Sequence, residues 1–134
     1  MTEGDSAHVV VVQGGRVLLL RRGPDAPRAP GRWCVPGGRI EPGETPAQAA
    51  VRELAAGAGI DPPYQLAFAG LAGGNRYVFR AERPTLYPFD ARCRDEEHDA
   101  ACWVDAPGFA SLRLAPWTLP VLTTYVLAAG RVGA

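Results

Sequence analysis

Lysine is absent from this 134-residue chain, so arginine carries all fourteen basic charges. Fourteen acidic residues cancel them, and the formal net charge at neutral pH is zero. Grip on a nucleic-acid backbone draws on a basic surplus, so the balance argues against nucleic acid as a partner. Cysteine is scarce. Cys34, Cys93 and Cys102 are too few and too scattered for a disulfide framework, which makes a reducing cytoplasm the expected setting. The stretch Cys93, His98, Cys102 lacks a fourth ligand and a CxxC pair, so it reads as ordinary thiols rather than a zinc site. Long apolar runs are missing as well. The longest near the N-terminus, Val9 to Val12, falls far short of the ~18 residues a spanning helix needs. No basic stretch precedes a signal-peptide core, so a soluble, unprocessed chain without membrane contact is expected.

What is present points to an ordinary globular domain. Hydrophobic residues make up 47% and charged residues 21%, which excludes the composition of a disordered chain. The 16 glycines, 13 prolines and plentiful alanine resemble a coding bias more than a functional signal. No repeat, linker or second composition zone interrupts the chain, and residues 1–134 read as one α/β domain.

Two aliphatic runs, 8–12 and 16–21, flank Gln13-Gly14-Gly15, whose glycines supply the positive φ of a tight turn. The pair reads as an antiparallel hairpin buried on both faces, because its strands are nearly continuously apolar. A Pro/Gly loop covers 23–32, and an extended run resumes at Trp33-Cys34-Val35. The best helix start in the chain follows. Thr45 suits the N-cap, Pro46 the first helical position and Gln48 a capping box, so a helix is expected from Pro46 to about Ala56. Gly57 and Gly59 supply its stop signal. Two further strands, 65–71 and 77–81, enclose a Gly73-Gly74-Asn75 turn. An acidic loop carrying Asp95, Glu96, Glu97 and Asp99 leads to a short strand at 101–104, and 117–129 has the spacing of a closing helix.

The informative segment runs from Trp33 to Ile60. Gly38, five residues, Glu44, seven residues, Arg52-Glu53-Leu54 and then Gly59-Ile60 resemble the Nudix box, in which an x5-E-x7-R-E pattern follows a glycine. The Pro36-Gly37-Gly38 entry, the Glu41 and Glu44 pair, Gly31-Arg32-Trp33 before the box and Glu97-His98 leading to Trp103-Val104 also look like that family. The resemblance implies an α/β/α sandwich with a mixed sheet between the box helix and a C-terminal helix. It further implies phosphoanhydride hydrolysis of a nucleoside diphosphate linked to another moiety, with Mg²⁺ as cofactor.

Such chemistry explains the spacing. Magnesium prefers hard carboxylate oxygens, and helix positions i, i+3 and i+4 share one face. Glu53 occupies the first of those positions, but Ala56 and Gly57 replace the two remaining glutamates of the pattern. Gly57 also costs about 1 kcal/mol in helix propensity, so fraying is expected where the metal face should be. Glu53 is the candidate metal ligand and water activator, Glu44 the supporting catalytic carboxylate, and Glu97 a second metal ligand from a distant loop. Gly37, Gly38 and Arg52 are candidates for shaping the phosphate loop, with Arg52 read chiefly as an anchor through carboxylates. His98 reads as a surface loop residue, and Trp33 and Trp103 as core or pocket wall. Substrate choice is expected to reside in 23–32 and 84–99.

Weakened hydrolysis therefore stands beside two other readings. One is a non-catalytic module binding a nucleotide or other small ligand. The other is an interaction module, homodimeric through its N-terminal or C-terminal segment, which an exposed apolar patch at the empty metal face would favour.

Overall fold

A computed structural model describes residues 4–84 and 88–133, so Thr85, Leu86 and Tyr87 of the expected specificity loop lie outside the described residues. The aliphatic hairpin forms as read: β1 (Ser6–Gln13) and β2 (Arg16–Arg22) meet across Gly14 and Gly15, whose φ angles are +57° and +75°. The two strands pair only at the turn end, through Val12↔Val17 and Gln13↔Arg16. Beyond that they diverge. β1 lies between β4 (Gly37–Arg39, antiparallel) and β6 (Arg76–Glu82, parallel), while β2 lies between β3 (Trp33–Cys34) and β7 (His98–Val104), both antiparallel. β5 (Gln65–Ala72) pairs antiparallel with β6 and closes that edge. The sheet is therefore mixed, and where β1 and β2 splay apart Pro36 O accepts from Val9 N–H at 2.8 Å.

Alternation along the hairpin assigns its two faces. Val9, Val11, Leu18 and Leu20 pack on one side with Ala49, Ala50, Leu54 and Ala58 of α1 (Pro46–Ala58). Val10, Val17 and Leu19 pack on the other with Val121 and Leu122 of α2 (Thr118–Gly133). Helix, mixed sheet and helix form the expected α/β/α sandwich. Trp103 packs, partly buried, against the first cluster and Trp33 against the second. Among the described residues no helix is long and apolar enough to cross a membrane.

The start of α1 matches its sequence signals. Gln48 N–H donates to Thr45 Oγ1 at 3.1 Å, and Thr45 N–H donates to Gln48 Oε1 at 2.9 Å, a complete capping box. Its end departs from expectation. The helix continues through Gly57 to Ala58, and no fraying occurs there, because Gly57 is buried against the sheet. Termination falls at Gly59 (φ +67°), whose N–H donates to Ala55 O as in an αL cap, while Ile60 N–H donates to Leu54 O.

Two other expectations need correction. β7 begins at His98 rather than at 101, because its pairing with β2 extends to Arg22↔His98 past a bulge. A 3₁₀ turn spans Ala106–Ser111, started by Asp105, whose Oδ1 accepts from Gly108 N–H at 3.1 Å. The Asp105-x-Pro107-Gly108 pattern signals that turn in the sequence.

Candidate active site

A pocket of about 440 Å³ lies in the splay between β1 and β2, and Gly37, Gly38, Glu53 and Glu97 all contribute to its wall. Four of the residues singled out in the sequence are thus brought together from β4, α1 and the loop before β7. Arg52 and Glu44 stand behind them.

The glycines owe their identity to close approaches in the protein itself. A Cβ on Gly37 would lie 2.6 Å from Ala7 O and 2.9 Å from His8 Cα, both backbone atoms of the paired strand. One on Gly38 would lie 2.6 Å from Glu53 Oε1 and 2.7 Å from Glu53 Cδ. Glu53 therefore rests directly on the β4 backbone.

Arg52 fixes the loop before α1. Its Nε and Nη2 donate to Glu44 Oε2 at 2.8 Å and Oε1 at 2.9 Å, a bidentate pair, while Nη2 also reaches Arg39 O at 2.9 Å. Nη1 donates to Glu53 Oε1 at 2.7 Å. Glu44 Oε1 in addition accepts from Glu41 N–H at 2.9 Å. The arginine beside it pulls the Glu44 carboxyl down to about 2, with the Glu41 N–H adding to the effect. Both Glu44 oxygens are engaged by this anchor, and Glu44 is not on the pocket wall, where Glu53 and Glu97 stand.

Glu53 responds in the opposite sense. Burial pushes its carboxyl above the usual range, and the neighbouring charges of Asp95 and Glu97 add to that push against the pull of Arg52. Glu97 is held through its backbone: its N–H donates to Asp95 Oδ1 at 3.2 Å, and its carbonyl accepts from Gly23 N–H at 2.8 Å. Its carboxylate is 56% exposed, with Arg22 Nη2 at 3.9 Å.

Several pocket residues escaped the sequence reading. Arg22 is buried with its guanidinium 5.2 Å over the Trp117 ring, and its Nε donates to Arg28 O. The Arg21-Arg22 pair that ends β2 was the available signal, but the partners of Arg22 lie in distant segments. His98 is a correction. It is buried, with Nδ1 2.9 Å from Asp95 Oδ1 and Nε2 3.6 Å from Cys34 Sγ, because β7 carries it under the sheet edge. Burial drives the Cys34 thiol up to about 11, so it stays protonated at neutral pH.

His8 also lines the pocket, with Nε2 2.8 Å from Ser6 Oγ and Nδ1 turned toward Gly37 without a hydrogen-bond partner. Burial, and then the charge of Arg76, lowers its pKa from 6.5 to about 4. The unfolded chain thus takes up a proton below pH 6.5 that the fold resists until about pH 4. His8 favours the fold fully above pH 6.5 and loses that benefit as pH falls toward 4. Denaturant melts should show stability falling between pH 7 and pH 5, with that slope reduced in His8→Gln.

The donor set bears on magnesium. Among the described residues no three His, Cys, Asp or Glu side chains are placed to hold a metal ion together. Glu53 and Glu97 nevertheless offer hard oxygens in one pocket, and magnesium commonly takes one or two carboxylates and completes its shell with phosphate oxygens and water. The residues fit an ion shared with a phosphorylated ligand; they do not fit one held by the protein alone.

Comparison with known proteins agrees with the fold. The NUDIX domain family model matches residues 2–125. The octanoyltransferase of Myxococcus xanthus is 43% identical over 110 residues, which cover 74% of this chain but 30% of that protein. A Mycobacterium tuberculosis protein provisionally named 8-oxo-dGTP diphosphatase 2 is 37% identical over 106 residues, covering 72% of this chain and 69% of its own. The chain thus spans under a third of the first relative's length and about two thirds of the second's. Among solved structures, the Nudix hydrolase RenU of M. smegmatis superposes with a TM-score of 0.76 at 26% identity, over 96% of this chain and 87% of RenU.

Proposed function

This chain belongs to the NUDIX family, and on that premise we propose that it hydrolyses the phosphoanhydride of a nucleoside diphosphate linked to another moiety, in the cytoplasm and at a reduced rate. The observation that carries this reading is the placement of Glu53. It is a partly buried carboxylate fixed against Gly38 at the wall of a pocket that also bears arginines.

Arg22, Arg28, Arg39 and Arg76 line that pocket and suit the negative charge of a diphosphate. Gly37 and Gly38 bring bare backbone to its wall, and Arg52 acts from behind by fixing Glu53 through Oε1. The second oxygen, Oε2, is left to take a proton from an attacking water, and the raised basicity of Glu53 suits that role near neutral pH. Glu53 and Glu97 are the residues that would hold magnesium, which when bound neutralises phosphate charge and favours water attack at phosphorus. Loss of carboxylates at Ala56 and Gly57 accounts for the reduced rate.

Among the described residues the exposed large apolar side chains, Phe68, Leu71, Leu119, Val126 and Leu127, lie on β5 and α2, and none lies on α1. The interaction-module reading therefore lacks the patch it called for at the metal face.

A panel of nucleoside diphosphate derivatives and nucleoside triphosphates, assayed with Mg²⁺ by product chromatography, tests the proposal. Slow, Mg²⁺-dependent hydrolysis of at least one diphosphate derivative is expected. No turnover, with a metal-independent rise in melting temperature on adding a nucleotide, would instead establish a binding module.

A further inference from the structure

β4 divides the pocket into two sides. Neighbouring residues of a strand face opposite ways. The vacant side-chain position of Gly38 points at Glu53, and that of Gly37 points at His8, whose Nδ1 would lie 2.7 Å from a Cβ there. Glu53 and His8 thus line one pocket from opposite faces of the same two glycines. The His8 side also holds Ser6, Asn75 and Arg76. Hydrolysis at Glu53 uses neither Ser6 nor His8.

Ser6 and His8 lie two residues apart on β1 and so share a face, where Ser6 Oγ and His8 Nε2 are 2.8 Å apart. His8 is 5% exposed, and its Nδ1 is buried without a hydrogen-bond partner. The ring is neutral at pH 7, because burial, and then the charge of Arg76, lowers its pKa to about 4. A neutral imidazole carries one N–H, at Nδ1 or at Nε2. Buried N–H groups without an acceptor are rarer in folded proteins than bare acceptors, so the proton belongs on Nε2, which donates to Ser6 Oγ. That bond fixes the hydroxyl from behind. The Ser6 O–H has no acceptor of its own among the described residues, and it stands at the pocket wall. Arg76, beside Ser6 in the parallel pairing of β1 with β6, adds a second donor to the same side.

We propose that the Ser6 hydroxyl, oriented by His8, is a specificity-determining contact that donates to a hydrogen-bond acceptor of the ligand. His8 is then a positioning residue that acts through Ser6 and does not itself touch the ligand. This rests on the reading of the pocket as a nucleoside diphosphate site. It adds a donor side on the face of β4 that Glu53 does not occupy. A phosphate oxygen and an acceptor of the nucleoside both answer to that chemistry.

Calorimetric titration with ADP, UDP and inorganic pyrophosphate, without metal, reads binding apart from turnover. Ser6→Ala is expected to weaken at least one nucleoside diphosphate about tenfold, the scale of one hydrogen bond in a desolvated site, with an unshifted melting temperature. His8→Gln keeps an amide N–H near the place of Nε2 and should bind within about twofold of the parent. His8→Asn reaches only to the place of Nδ1, so its binding should fall with that of Ser6→Ala. An equal loss of pyrophosphate affinity in Ser6→Ala assigns the acceptor to phosphate, and an unchanged one assigns it to the nucleoside. Parent-like binding of all three probes by Ser6→Ala overturns the proposal, as does a parent that binds none of them. A loss in Ser6→Ala without one in His8→Asn overturns it too, since the ring would then not orient the hydroxyl. Mg²⁺-dependent hydrolysis with parent-like binding in Ser6→Ala would sink this inference and leave the hydrolase reading standing, whereas Ser6-dependent binding without any hydrolysis would do the reverse.

Discussion

Glu53→Gln is expected to lower turnover by roughly 10³-fold while leaving the melting temperature nearly unchanged, since a positioned general base contributes about 10²–10⁴-fold. The amide keeps the size of the carboxylate, and its oxygen can still accept from Arg52 Nη1, a bond of 2.7 Å in the parent. What it loses is the proton-accepting Oε2 and a negative charge in a pocket otherwise rich in arginine. The pH dependence should carry the same signature. Burial raises the Glu53 carboxyl, so it remains protonated to a higher pH than an ordinary glutamate, and the acid limb of the rate profile should shift upward accordingly. Steady-state product release from pH 5 to 9, with thermal melts of both proteins, measures both effects. Undiminished turnover in the variant would remove Glu53 from the chemistry.

Local signals were the legible part of this chain. Thr45, Pro46 and Gln48 specify the start of α1 within four residues, and both bonds of their capping box form. Gly14 and Gly15 specify the hairpin in the same way. The anchoring role of Arg52 through carboxylates came from the family resemblance rather than from any local signal, and in the fold its partner is Glu44. The helix end was misjudged because Gly57 and Gly59 carry the same local signal. Burial of Gly57 beside Leu20 and Asp95, a tertiary fact, decides between them. The parallel pairing of β1 with β6 joins segments about seventy residues apart, and nothing in either strand announces it. The same holds for Arg22 under Trp117 and for His98 beneath Cys34. Long-range contacts of this kind complete the candidate site: the box provides its floor, and distant segments provide its walls.

The two adjacent glycines of β4 should fail in different ways when each is changed to alanine. Gly37 pairs with His8, and its added methyl would meet Ala7 O at 2.6 Å and His8 Cα at 2.9 Å. Both are backbone atoms of β1, the strand at the centre of the core, and neither can yield without moving the sheet. Overpacking of this kind costs about 3 kcal/mol, at the upper end of its usual range, which corresponds to a loss of about 10 °C in melting temperature for a domain of this size. At Gly38 the methyl would instead meet Glu53 Oε1 at 2.6 Å and Cδ at 2.7 Å, the far end of a side chain that can rotate aside. The fold should survive, but Glu53 must leave the β4 backbone and its bond to Arg52 Nη1. Displacing a catalytic group by about 1 Å can cost about 10²-fold in rate, so Gly38→Ala should resemble a mild form of Glu53→Gln. Thermal melts and turnover of the two variants side by side separate these effects. Full activity in Gly38→Ala would mean that the close seat of Glu53 on β4 does not set the geometry of the reaction. An unshifted melting temperature in Gly37→Ala would mean that the β1–β4 pairing contributes little to stability.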